Sequence, residues 1–69
     1  YNMEAIAESI IEQWKNENNN TECISLSSVK VKHCDHDAGI YTLYINLSSG
    51  IVRIKAIKES DTWKIIKLL

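Results

Sequence analysis

The amino-acid sequence predicts an α+β fold, with one N-terminal amphipathic helix packed on a four-stranded antiparallel β-meander. Apolar side chains first recur with the 3.6-residue period of a helix, and after an asparagine-rich run they recur with the two-residue period of strands. The strand-like segments are separated by short turns, which only antiparallel neighbours allow. The 69 residues contain no internal repeat or domain boundary, so residues 1–69 are expected to form one small domain.

Residues 3–18 have the pattern of the helix. Asn2 can serve as the N-cap, and Glu4 lies in the first turn, where the helix dipole favours an anion. The asparagine-rich run 16–20 is expected to end the helix, because asparagine competes for backbone hydrogen bonds and tolerates left-handed geometry. The apolar stripe consists of Met3, Ile6, Ala7, Ile10, Ile11 and Trp14.

The first of the four strands is predicted to be irregular. Its apolar alternation over residues 24–31 changes phase at Ser27 and Ser28, where a bulge or a bend is expected. Residues 33–39 are polar and contain a glycine, which indicates a hairpin loop. The remaining strands alternate regularly over 40–47, 51–58 and 62–69. The predicted core between helix and sheet is Ile6, Ile10, Trp14, Val31, Leu43, Ile45, Ile54, Trp63 and Ile65.

Composition and charge exclude two classes of function. Eight basic and nine acidic side chains give a net charge of -1, whereas a nucleic-acid binder of this size is usually basic. The longest uncharged run, residues 40–52, is too short and too polar to span a membrane. We therefore expect no nucleic-acid partner and no membrane span. A chain this short buries a limited core, so a disulfide, a metal or a partner chain is expected to add stability.

Cys23 and Cys34 allow two interpretations. An even number of cysteines suggests one disulfide in an oxidising compartment, whereas in the cytosol both thiols would be reduced. In one continuous strand the two sulfurs would lie about 35 Å apart, beyond the reach of a disulfide. A bridge therefore requires a bend at Ser27 and Ser28. With the bridge the protein would be exported, periplasmic or secreted, and with reduced cysteines it would be cytoplasmic.

The predicted loop holds the densest cluster of potential metal ligands in the sequence, from His33 to Asp37. Thiolate and imidazole groups suit zinc or copper, with His33, Cys34 and His36 as the candidates. Four ligands rarely converge from five consecutive residues, so no metal and no other cofactor is predicted. A Cys–His–Asp nucleophilic site would need a cleft that so small a domain seldom supplies, and the sequence therefore predicts no enzyme.

The outer face of the predicted sheet combines apolar and cationic side chains, which can mark a binding surface. The candidate interaction surface is Tyr44, Arg53, Lys55, Lys64 and Ile66. Charge is also segregated along the chain, because residues 1–28 carry five acids and one base while residues 53–69 carry five bases and two acids. The helix should therefore be acidic outside and the outer sheet face basic. The edge strands offer a second route, by pairing with another chain.

Three segments of the sheet carry a family resemblance: Gly39–Ile45, Ile51–Ile57 and Asp61–Leu68. Together with the helix they resemble the sheet half of the cystatin-like and NTF2-like α+β domains, over residues 4–69. Such domains are common in small bacterial secreted proteins and lipoproteins of unknown role, so the resemblance implies export. The QxVxG loop with which cystatins enter protease clefts is absent, and protease inhibition is not implied. One helix also cannot close the deep conical pocket of the larger members.

These observations predict a non-enzymatic protein-interaction module, exported, that binds a partner protein or itself through the outer sheet face or an edge strand. Two alternatives stay open. The chain could be a small metal- or ligand-binding module that uses the loop from His33 to Asp37, or it could be a fragment of a larger fold.

Overall fold

The structure, a computed structural model, describes residues 2–68 and contains one α-helix followed by four strands. The elements are α1 Met3–Glu17, a 3₁₀ turn Leu26–Ser28, β1 Val29–Asp35, β2 Ile40–Leu47, β3 Gly50–Glu59 and β4 Thr62–Leu68. The strands form one antiparallel sheet in the order β1-β2-β3-β4, and α1 packs on one side of it. The predicted α+β fold class is therefore confirmed.

Asparagine residues cap helix α1 at both ends, Asn2 at the start and Asn18 at the end. The side-chain oxygen of Asn2 accepts hydrogen bonds from the amides of Glu4 and Ala5, at 3.0 and 3.3 Å, which confirms the predicted N-cap. The helix ends at Glu17, and Asn19 adopts a φ of 51°, a left-handed conformation that asparagine tolerates. Across residues 2–68, no helix combines the length and apolar character needed to cross a membrane.

Strand β1 differs from the predicted first strand at both ends. Residues 20–25 have no regular structure, and the phase change at Ser27 and Ser28 is a 3₁₀ turn in which the Ser25 hydroxyl accepts the amide of Ser27. The predicted loop over 33–39 is also too long, because the turn occupies only residues 36–39. β2 starts early enough, at Ile40, to pair with Asp35, so the ladder extends β1 through residues whose polarity had suggested a loop.

The core lies between α1 and the facing side of the sheet. It consists of Ala7, Ile10, Ile11, Trp14, Tyr41, Leu43, Ile45, Ile54, Ala56 and Trp63. Three residues predicted in the core, Ile6, Val31 and Ile65, are half-buried at its margin. Most inward side chains of the central strands β2 and β3 are buried, whereas on the edge strands β1 and β4 only that of Trp63 is buried.

No disulfide joins Cys23 and Cys34, and both side chains are exposed. The bridge considered above is therefore wrong for this structure, and the reason is topological. The carboxylate of Glu22 accepts hydrogen bonds from the amide and hydroxyl of Ser48, which holds the segment around Cys23 at the β2–β3 turn. Cys34 pairs with Tyr41 beside the β1–β2 turn, at the opposite end of the sheet.

Candidate interaction surface

The two faces of the sheet differ in burial. The side chains of Tyr41, Leu43 and Ile45 point toward α1 and are buried, so the intervening residues of β2 point away from the helix. The same alternation holds in β3 and β4. We call the side that points away from α1 the outer face, and in the part of the chain that the structure describes no element covers it.

Three rows of outer-face residues cross all four strands of the sheet. From β1 to β4, the rows are Asp35–Ile40–Ile57–Lys64, His33–Thr42–Lys55–Ile66 and Lys30–Tyr44–Arg53–Leu68. All five residues of the predicted interaction surface therefore lie on the same face and within adjacent rows. Ile66 is 40% exposed, Arg53 and Lys64 are exposed, and Tyr44 and Lys55 are half-buried.

Strand β1 adds cationic residues that the predicted surface did not include. Lys30 is the cross-strand neighbour of Tyr44, and the Lys32 ammonium lies 5.5 Å from the centroid of the Tyr44 ring, within range of a cation–π interaction. The ladder is irregular between Val31 and His33, and this bulge lets Lys32 reach the ring from the edge. The alternation of lysines with Val29 and Val31 in the sequence could have identified both.

The outer face is strongly basic for a protein whose net charge is -1. Five of the eight basic side chains of the sequence belong to it: Lys30, Lys32, Arg53, Lys55 and Lys64. Its acidic residues, Asp35 and Glu59, lie toward one end of the sheet. On the opposite layer, the exposed side of α1 carries Glu4, Glu8, Glu12 and Glu17. The molecule is therefore electrically dipolar across its thickness.

The three candidate metal ligands do not come together. His33 pairs with Thr42 on the outer face, whereas Cys34 pairs with Tyr41 on the side of the helix. His36 lies in the turn, and its Nδ1 is 2.7 Å from the Tyr41 hydroxyl in a hydrogen bond. Among residues 2–68 no group of three or more histidine, cysteine, aspartate or glutamate side chains could hold a metal ion.

A cavity of about 260 Å³ lies between the β1–β2 turn and the start of α1. Its wall includes Tyr41 and Trp63, whose rings meet edge to face with centroids 5.6 Å apart. The Lys58 ammonium lies 4.9 Å from the centroid of the Trp63 ring. Gly39 completes the wall at a φ of 69°, where a Cβ would lie 2.8 Å from that of Lys58. These contacts close one end of the core.

Alkaline pH is expected to weaken the fold through Tyr41, which is 3% exposed. Burial raises the pKa of its hydroxyl above the ordinary 10.0, and the negative charges of Cys34 and Asp35 raise it further. The unfolded chain therefore loses this proton first, so the contribution is complete below pH 10 and is lost as pH rises through the raised pKa. Thermal unfolding from about pH 8 to about pH 12 should show a smaller decrease for Tyr41→Phe. Equal decreases in both proteins would contradict this assignment.

The edges of the sheet differ in how well they are covered. At the start of β4, the Gln13 side chain pairs with the backbone of Trp63: its Oε1 accepts the amide at 2.9 Å, and its Nε2 donates to the carbonyl. The same Oε1 accepts the Thr62 hydroxyl at 2.7 Å. Gln13 thus occupies the place that a further strand would take. Local patterns in the sequence do not show this contact, because it joins residues 50 positions apart.

Comparison of the chain with models of protein families, with curated proteins and with solved structures gives no match.

Proposed function

We propose that the protein is a non-enzymatic interaction module whose outer face binds a partner protein. The observation that carries the proposal is the uncovered outer face, where the exposed side chain of Ile66 lies among lysine and arginine side chains. Protein–protein interfaces have an apolar centre, which loses its water on binding, and a rim of polar groups around it. The outer face has apolar and polar side chains in this arrangement. Export of the protein belongs to the proposal as well, and it rests on the resemblance to small secreted α+β domains.

The charge of the outer face indicates the chemistry of the partner. Cations on three of the four strands would attract a surface that carries carboxylates, and complementary charges accelerate association and fix orientation. The half-buried Ile40, Ile57 and Leu68 extend the apolar part of the face around Ile66. The partner we propose is therefore a protein segment with acidic residues beside apolar ones.

Replacing Ile66 with Asp is expected to abolish this association and leave the fold intact. The side chain is 40% exposed and lies on the outer face, so a carboxylate there stays hydrated in the free protein. In the complex the same carboxylate would be buried without a partner, which should weaken binding by at least about tenfold. Circular dichroism and thermal unfolding check the fold. Affinity capture from the source cells, followed by calorimetry with the purified partner, measures binding.

Two matched controls make the test specific to the outer face. Lys55→Glu reverses a charge in the row of Ile66 and should also weaken binding, whereas the same change at Lys15 on α1 should not. Leu26→Asp places the same carboxylate at an exposed apolar residue outside this face and should bind normally. A partner that binds the Ile66 and Lys55 variants as well as it binds the wild type would refute the proposal. If Ile66→Asp unfolds, the comparison of Lys55→Glu with Lys15→Glu still tests the proposal.

A further inference from the structure

Beyond Trp63, strand β4 leaves part of its backbone open. In an antiparallel ladder every second residue turns its amide and carbonyl away from the neighbouring strand. The hydrogen bonds from Gln13 show that the amide and carbonyl of Trp63 point away from β3. The backbone groups of Ile65 and Lys67, two and four residues further along β4, therefore point the same way. β4 is an edge of the sheet, and among residues 2–68 no hydrogen bond from another element to the backbone of these two residues is present. The end of α1 lies near this stretch, since Glu17 and Asn18 line a groove with Ile65 and Lys67, but neither residue hydrogen-bonds to its backbone.

The other edge of the sheet is protected by a bulge, which β4 lacks. Strand β1 contains the bulge between Val31 and His33, and bulges, like lysine side chains, protect edges against pairing. Both edge strands carry two lysines, Lys30 and Lys32 on β1 and Lys64 and Lys67 on β4, so the bulge is what distinguishes the two edges. In contrast, β4 pairs with β3 without any shift of register from Thr62 to Leu68. The open stretch at Ile65 and Lys67 therefore has no bulge that would hinder pairing with another strand.

We infer that this stretch pairs with β4 of a second copy of the chain, antiparallel, with Ile66 on the two-fold axis. The inference does not depend on the proposed function, because it uses the backbone edge of β4 rather than the outer face. Pairing would join two four-stranded sheets into one continuous sheet of eight strands. The two outer faces would then lie side by side.

The contacts already present in the monomer select the register. With Ile66 opposite Ile66 of the second copy, Ile65 and Lys67 exchange backbone hydrogen bonds with Lys67 and Ile65 of that copy. A slip that centres the pair on Ile65 needs the backbone of Trp63, which Gln13 already occupies. A slip that centres it on Lys67 sets two lysines directly opposite each other, which is unfavourable. In the proposed register, each Lys67 faces an isoleucine and each Lys64 faces Leu68.

A proline at position 67 tests the use of this backbone. Proline is tolerated on an edge strand where the missing amide faced solvent, so Lys67→Pro should keep the monomer folded. Sedimentation equilibrium up to millimolar concentration should show a monomer–dimer equilibrium for the wild type and for Lys67→Ala, and only monomer for Lys67→Pro. A wild type that stays monomeric throughout, or a dimer that survives in Lys67→Pro, would overturn the inference.

A cysteine pair then reports the register. Residues opposite each other in a pair without hydrogen bonds have Cα atoms about 4.5 Å apart, a distance that a disulfide spans. With Cys23 and Cys34 replaced by serine, Ile66→Cys should form a covalent dimer on mild oxidation at least about tenfold faster than Lys64→Cys, which faces Leu68 in this register. Faster dimerisation of Lys67→Cys would indicate the slipped pairing and contradict Ile66 on the axis. Because Lys67→Pro leaves the outer face unchanged, loss of the dimer and loss of the partner are separable.

Discussion

Trp63→Ala is expected to remove most of the stability of this protein. The Trp63 side chain is 7% exposed, packs edge to face on Tyr41 and donates from its indole Nε1 to the Ser9 hydroxyl at 3.0 Å. Truncating a buried tryptophan typically costs about 3–5 kcal/mol. A domain of this size has roughly 3–10 kcal/mol in total, at about 0.05–0.15 kcal/mol per residue. The midpoint of thermal unfolding should therefore fall by more than about 12 °C.

Two further variants separate the ring from its hydrogen bond. Trp63→Phe keeps an aromatic ring against Tyr41 and loses the indole donor, so it should be clearly more stable than Trp63→Ala. Ser9→Ala removes only the acceptor and should cost about 1 kcal/mol. Chemical denaturation followed by circular dichroism measures all three free energies of unfolding. A midpoint for Trp63→Ala within about 4 °C of the wild type would show that this residue does not bridge helix and sheet.

The periodicity of the sequence predicts α1, β2, β3 and β4 to within about two residues, and the reason is physical. Each of these elements has one face against the core, so burial imposes a regular apolar pattern on it. Strand β1 lies at an edge and is less buried, and its last three residues are His33, Cys34 and Asp35. Their strand conformation comes from pairing with β2, which no pattern within β1 itself can show.

The candidate site was predictable to the extent that it depends on strand alternation. Tyr44, Arg53, Lys55, Lys64 and Ile66 share the outer face because each is one residue away from an inward side chain. Contacts between distant elements could not be found in this way. The cap of Gln13 on Trp63 depends on the position of α1 relative to β4, and glutamine at this position of a helix has no characteristic pattern.

The arrangement of layers accounts for the open surfaces. One 15-residue helix covers one face of a four-stranded sheet, and the outer face stays in contact with solvent. Lysine and arginine side chains keep that face hydrated, and their aliphatic stems cover neighbouring apolar groups. The proposed function uses the same composition, since the cations would orient a partner and the exposed isoleucine would offer apolar contact.

Gln13→Leu is expected to destabilise the protein more than any other exchange of a single polar side chain on α1. The change keeps the volume of the side chain but removes the hydrogen bonds to the backbone of Trp63, to the Thr62 hydroxyl and to Glu17. The half-buried backbone groups of Trp63 then lose their partners, which should cost about 1–3 kcal/mol. The midpoint of thermal unfolding should therefore fall by roughly 4–24 °C.

Hydrogen exchange distinguishes this cap from a general loss of stability. The Trp63 amide should exchange slowly in the wild type and lose nearly all its protection in Gln13→Leu, whereas the Lys64 amide, which bonds to β3, should lose only the protection that the lower free energy of unfolding accounts for. Gln13→Glu serves as the matched control. It keeps an acceptor for the amide but sets a carboxylate beside the Trp63 carbonyl and Glu17, so replacing Glu17 with Gln should restore part of its stability. A Trp63 amide that exchanges without protection in the wild type as well would show that the edge of β4 is open along its whole length. Pairing centred on Ile65 would then become possible.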